Sequence, residues 1–285
     1  KKTNRSSLLR VHVTFSSPWH ASETHIISSV QDKPFRMTRE ILDRIVRREE
    51  DSFKRTGLAV HLGKDPSIIE KHIMYIALNG YETREPFGKE AKTLDAGLFL
   101  GVISRTILDT VVHETKRVFP TESQSFHSFP FVAFAVVRDF PGTPEKFLVV
   151  DVGGEVTDVS IVSDRVLSET ITFPVGKRTL LRALSRALGT TPDEAFSLVR
   201  LASEKRLSET TGGRIGKSLS DVGGMWVSTF EKALSDAATR TSIPGSLFIS
   251  ADDDLLPYFV ALVKRNSFAQ YTVTDKIFSI FPLSS

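Results

Sequence analysis

Residues 151–162, "DVGGEVTDVSIV", set an aspartate, two glycines and a threonine between two apolar runs. A glycine turn of this kind can aim backbone N–H groups at a phosphate, because glycine lets the backbone approach closely or take positive φ. Asp151, at the end of the first run, is placed to hold a magnesium ion through water, and Thr157 offers a hydroxyl. The candidate phosphate contacts are therefore Asp151, Gly153, Gly154 and Thr157. Gly-Gly hairpins also occur without ligands, so the pattern alone leaves both readings open. Glu155, in the middle of the turn, would direct a negative charge at any phosphate bound there.

Other motifs carry less. "GGRIGKS" (212–218) has three residues between Gly212 and Gly216 where a P-loop needs four, and it reads as a linker whose Ser218 caps the next helix. The seven histidines are scattered, without an i, i+4 pair or carboxylates at metal-ligand spacing, so no metal site is expected. His113, on the second helix, reads as a boundary residue and His127 as a loop residue. No Gly-x-Ser-x-Gly elbow and no cysteine is present, which leaves no candidate nucleophile and excludes disulfides and thiolate metal sites.

The elements that must position the turn follow from periodicity. "KFLVVDV", "TDVSIVS" and "RVLSETITF" read as three successive strands. The helix "KRTLLRALSRAL" ends at Gly189, a second is opened by Thr191-Pro192, and a third spans about 217–240. "SLFISA" (246–251) reads as a buried strand and "LLPYFVALVKR" as the helix after it. Upstream, "LLRVHVTF" (8–15), "IEKHIMYIALNGY" (69–81) and "LDAGLFLGVI" (94–103) read as strands. Thr38 caps one helix and Ser104 another, the second carrying the stripe Ile107, Leu108, Val111, Val112, Thr115 and Val118. Pro120 should close that helix, and Pro120 with the polar "TESQS" marks the expected domain boundary. For "FPFVAFAVV" (129–137), helix and strand stay open. Strands giving way to helices and back indicate a layered α/β core.

The chain has 285 residues, 40% apolar, ample for a buried core. No run approaches the ~18 apolar residues of a membrane span, and the start lacks a signal peptide's apolar core, so a cytoplasmic location is expected. Net charge is only +3. The basic excess lies in residues 1–64, with 13 Lys/Arg against 7 Asp/Glu, and reads as the solvated face of an amphipathic helix, so no nucleic-acid partner is expected. "TDKIFSIFPLSS" is no membrane-targeting helix, which makes any membrane attachment indirect.

"VVDVGGEVTDVSIV" resembles the second phosphate loop of the actin-like ATPases, and its surroundings resemble the bacterial division protein FtsA and its pilus-assembly relative PilM. The order of elements in residues 8–119 is similar to the subdomain inserted in that family, with Pro86-Phe87-Gly88 at its "Pro-x-Gly" turn. "ETITFPVGKRTLLRALSRALGTTPDEA" follows the family's path from hairpin to helices, and "SLFISADDDLLPYFVALVKR" stands at its glycine-rich adenosine turn. The resemblance implies an actin-like, ribonuclease-H-type α/β core with an inserted α+β strand-helix-strand-strand subdomain. The insert would occupy 8–119 and the core 120–285, with a reduced helical subdomain at about 177–240.

Departures from the family bear on activity. Glu155 replaces a small residue, and Asp252, Asp253 and Asp254 replace the adenosine-side glycines. The family's nucleoside-binding Glu and Lys fall on Phe196 and Val199, and the sequence starts at the insert without the first phosphate loop. The resemblance then implies a scaffold with weak or lost nucleotide binding, a pseudo-ATPase without catalytic residues. Its expected partners are a division filament protein or the cytoplasmic tail of a pilus membrane protein, with possible self-association, and its place is cytoplasmic, peripheral to the inner membrane through those partners. The alternative is an active ATPase binding ATP and magnesium through Asp151 and Thr157. A module with only a structural role in a larger complex is the third reading.

Overall fold

The computed structural model describes residues 8–63, 65–119, 121–203, 206 and 209–283. Pro120, the expected helix stop, lies outside the described residues. The chain divides into two compact units, residues 1–132 with 166–168, and 133–165 with 169–285.

The first unit holds two sheets. β1 (Leu8–Phe15) and β6 (Thr121–Ser128) form a two-stranded parallel sheet, joined through α3 (Arg105–Val118). The other sheet is antiparallel in the order β2-β5-β3-β4, from β2 (His20–Arg36), β3 (Pro66–Leu78), β4 (Tyr81–Glu82) and β5 (Glu90–Ser104). Leu8–Phe15 thus pairs outside the four-stranded sheet. α1 (Arg39–Phe53) begins where the Thr38 hydroxyl accepts the Ile41 N–H at 3.3 Å, and it buries Leu42, Val46 and Phe53 against Leu98, Leu100 and Val102 of β5. A short α2 (Gly57–Val60) follows it. The turn between β3 and β4 places Asn79 and Gly80 at positive φ, as a tight hairpin requires.

β2 went unread because its apolar residues alternate weakly on a mostly exposed edge. "TESQS", expected to mark the domain boundary, is strand β6, since pairing with β1 satisfies a backbone whose polar side chains signal a loop. "FPFVAFAVV" is helix α4 (Phe129–Arg138).

The second unit is built on a five-stranded sheet in the order β11-β10-β7-β8-β9. β7 (Phe147–Val152), β8 (Thr157–Ser163) and β9 (Val166–Phe173) form the meander expected around the glycine turn, the first three residues of β9 grouping with the first unit. β10 (Ser246–Ser250) runs parallel to β7 and to β11 (Ser279–Leu283). α5 (Lys177–Leu188) buries Leu180 and Leu184 and ends at Gly189 in the left-handed region. α6 (Pro192–Ser203) starts on a capping box between Thr191 and Glu194. α7 (Glu209–Ala238) and α8 (Leu256–Arg265) complete the unit. α7 absorbs "GGRIGKS", which is helix and not linker: Ile215, Leu219, Trp226, Phe230 and Leu234 fall on one buried face, and that packing overrides the weak helix propensity of the glycines.

Candidate functional site

β7 and β8 pair with Asp151 opposite Asp158 and Val152 opposite Thr157, so the turn 153–156 projects from the end of two buried strands. The Gly153 N–H closes the turn on the Val156 carbonyl at 3.0 Å. The carbonyls of Gly153 and Gly154 then accept the N–H groups of Lys177 and Arg178 at 2.9 and 2.8 Å. These are first-turn donors of α5, whose N-cap, Gly176, has no side chain to serve them. The turn therefore caps the helix with its oxygens. A Cβ on Gly176 would stand 2.6 Å from the Gly154 oxygen and 2.7 Å from that of Gly153, so only glycine permits this approach.

Side chains close the same region. Arg182 on α5 holds Glu155 by two hydrogen bonds, at 3.0 and 2.7 Å, and this pairing lowers the carboxyl below the usual glutamate range. Lys177 makes an ion pair with Asp252 in the loop after β10. The Asp252 carbonyl accepts the N–H groups of Leu255 and Leu256 at 2.8 and 2.9 Å and starts α8. Thr157 is fully buried: its hydroxyl donates to the Val175 carbonyl at 2.7 Å and accepts the Trp226 indole N–H at 3.1 Å.

Asp151 stands opposite Ser250 of β10. Burial first, then the neighbouring Asp158, push its carboxyl up to about 7; the Ser250 hydrogen bond opposes this, and Asp252 adds to it. The structure thus brings Asp151, Gly153, Gly154, Glu155 and Asp252 to one place beside α5, and turns Thr157 away into the core. Val199 is buried and Phe196 packs against the same core, where the resemblance called for a polar pair.

A second cluster, in the first unit, escaped the sequence reading. Glu70 on β3 has a buried side chain, accommodated by Gly101 of β5, where a Cβ would stand 2.8 Å from Glu70 Oε1. That oxygen accepts the Ser128 N–H at 2.8 Å. Glu70 Oε2 has no hydrogen-bond partner; it lies 3.5 Å from His72 Nε2 and 3.9 Å from His127 Nδ1. His127 is a strand residue and not a loop residue: it stacks on His12 and hydrogen-bonds it at 3.2 Å. The one sequence signal was Glu70 and His72 two apart on an apolar strand, hence on one face. Among the described residues no group of three or more His, Asp or Glu is arranged to hold a metal ion.

No protein-family model matches the sequence, and no curated protein matches it. Among solved structures, the PilM–PilN type IV pilus biogenesis complex is similar over 97% of this chain and 69% of that one, with 12% identity and a TM-score of 0.58. A glycerol dehydratase reactivase is similar over 79% of this chain and 44% of its own, with 13% identity and a TM-score of 0.40. Ta0583, an archaeal actin homolog, is similar over 57% and 52%, with 15% identity and a TM-score of 0.38. The chain thus spans about half the length of the last two. At such identities the likeness is one of fold, and the architecture is that of the actin-like ATPases.

Proposed function

We propose that this protein is an actin-like scaffold of the FtsA/PilM type, working through protein contacts and without a nucleotide cofactor. In this reading the four-stranded sheet belongs to the family's insert, and the helices from Lys177 to about 240 are its reduced helical subdomain. One observation carries the proposal. Several groups that could meet a phosphate at the turn are committed to the protein: α5 donors to turn carbonyls, the Gly153 N–H to Val156, the Thr157 hydroxyl to Val175, Arg182 to Glu155 and Lys177 to Asp252. A triphosphate would have to displace all of them, and an Asp151 raised to about 7 is a weakened magnesium ligand at neutral pH.

The expected partners are proteins: the cytoplasmic tail of a pilus membrane protein, in keeping with the PilM–PilN complex, or a division filament protein. In this reading membrane association comes through them; among the described residues no helix is long and apolar enough to cross a membrane.

Thermal melting with ATP and magnesium tests the nucleotide half of the proposal. Ligand at ~100 times Kd would stabilise by ~2.7 kcal/mol, a rise of several degrees; less than about 1 °C is expected. A clear rise would restore the active-ATPase alternative. Pull-down and peptide binding with the products of neighbouring genes test the scaffold half, and a chain that binds none of them would leave it without support.

A further inference from the structure

A sheet edge is kept from pairing with other chains by charges, proline or bulges. Several edges of this protein carry such protection. β11 contains Pro282, and β9 contains Glu169, held in an ion pair by Arg240. β3, which β4 covers only at Ala77 and Leu78, carries Glu70, Lys71 and His72. β2, the opposite edge of that four-stranded sheet, is different. From Thr24 to Val30 it reads "THIISSV", without Asp, Glu, Lys, Arg or Pro. Its register against β5 is unbroken from His20 to Val30. Among the described residues it makes no backbone hydrogen bond beyond that pairing.

The side chains of β2 divide between two faces. Ile27 is buried in the core under α1, and His25 Nδ1 meets Glu49 of α1 at 3.1 Å. Ile26, Ser28 and Val30 turn the other way. Ile26 is 62% and Val30 79% exposed, and the Ser28 hydroxyl donates to Asp95 at 2.6 Å. The Thr24 hydroxyl donates to the Leu167 carbonyl, so the open stretch begins at His25.

We propose that this edge pairs antiparallel with the same edge of a second copy, about a two-fold axis at Ser28, joining the two four-stranded sheets into one. The sequence is complementary to itself in this register and not in its neighbours. With the axis at Ser28, Ile26 of each copy stands beside Val30 of the other, and Glu23 beyond one end of the paired stretch faces Lys33 of the second copy. An axis at Ile27 would set Ile26 against Ser28 and Val30 against Thr24, and an axis at Ser29 would set Ile26 against Asp32. Both leave apolar side chains beside polar ones. The proposal names the self-association surface of the scaffold proposed above and rests on that reading for its use.

The chain contains no cysteine, so cross-linking reads the register directly. Opposed residues in a strand pair have Cα atoms ~4.5–5.5 Å apart, within the reach of a disulfide. Under mild oxidation Ser28→Cys should cross-link to itself, whereas Ile26→Cys and Val30→Cys should cross-link when mixed and far more slowly alone. Sedimentation of the unsubstituted chain over a range of concentrations should show a monomer–dimer equilibrium. Val30→Lys, which touches both symmetry-related pairs, should weaken it about 10-fold while its melting temperature stays within about 1 °C of the parent's. A chain that remains monomeric at every concentration would overturn the proposal, as would a dimer indifferent to Val30→Lys or cross-linking of the three variants at equal rates. Protection of the β2 amides from hydrogen exchange that requires an added protein would assign the edge to a partner and overturn it as well. A monomer that still captures the products of neighbouring genes would defeat this pairing and leave the scaffold intact.

Discussion

Gly176 and Gly101 do the same physical work in different units, and the difference between their surroundings is instructive. Neither has positive φ; each is glycine because an oxygen occupies the place of its Cβ. Beside Gly176 the oxygens are the carbonyls of Gly153 and Gly154, each satisfied by an N–H of α5, and the nearby charges meet partners at the surface. Beside Gly101 the oxygen belongs to the buried carboxylate of Glu70, which receives one N–H and keeps its other oxygen without a hydrogen bond. The first arrangement joins a loop to a helix through backbone and tolerates loss of a surface charge. The second ties the end of β6 to β3 through a single side chain, so that its loss is costly.

The comparison can be broken at several points. Gly176→Val should have the largest effect, because the backbone oxygens at 2.6 and 2.7 Å cannot yield without undocking the turn from α5. A loss of about 3 kcal/mol in urea unfolding is expected, at the upper end of overpacking costs. Glu70→Ala should follow with about 2–3 kcal/mol, leaving the Ser128 N–H unserved and a cavity beside Gly101, whereas Glu70→Gln keeps an acceptor and should cost clearly less. Equal losses in the two variants would show that the charge, and not the acceptor, holds β6. Thr157→Val should cost about 1–3 kcal/mol by stranding the Trp226 N–H and the Val175 carbonyl.

Asp151 gives a pH signature. Its carboxyl sits at about 7 in the folded chain against an ordinary 3.8, so the folded state holds a proton that the unfolded state releases. The resulting stabilisation is complete below about pH 4 and falls away as pH rises to about 7. Asp151→Asn should flatten this dependence, and melts at pH 5 and pH 8 will show it. Arg182→Ala is placed last, because its ion pair with Glu155 is solvent-exposed; its melting temperature should stay within about 1 °C of the parent's. A large drop there would mean that the charge pair, and not the backbone, docks the turn.

Much of the second unit was legible in advance. The runs at 147–152, 157–163 and 166–173 are strands, Gly189 is a left-handed cap and Thr191 heads a capping box, because each depends on neighbours within a few residues. Elements whose state depends on distant partners were not legible. β6 is polar yet pairs with β1 more than a hundred residues earlier, and the glycines at the start of α7 are helical because their neighbours meet a core assembled from other segments. Of the site, the nearness of Asp151, Gly153 and Gly154 was readable from spacing alone. The fate of Thr157 was not, since the Trp226 that engages it is 69 positions away.

The sequence by itself determined the strand-turn-strand at 151–162 and the helices that follow it, because periodicity and turn chemistry are local. Only the tertiary structure decided what the turn does with its oxygens. It supplied the cation that neutralises Glu155 from 27 positions away and joined Glu70 to Ser128 across 58. The register of β3 against β5 and the seating of α5 on the turn set these contacts, and both are properties of packed surfaces that local patterns in the chain do not encode.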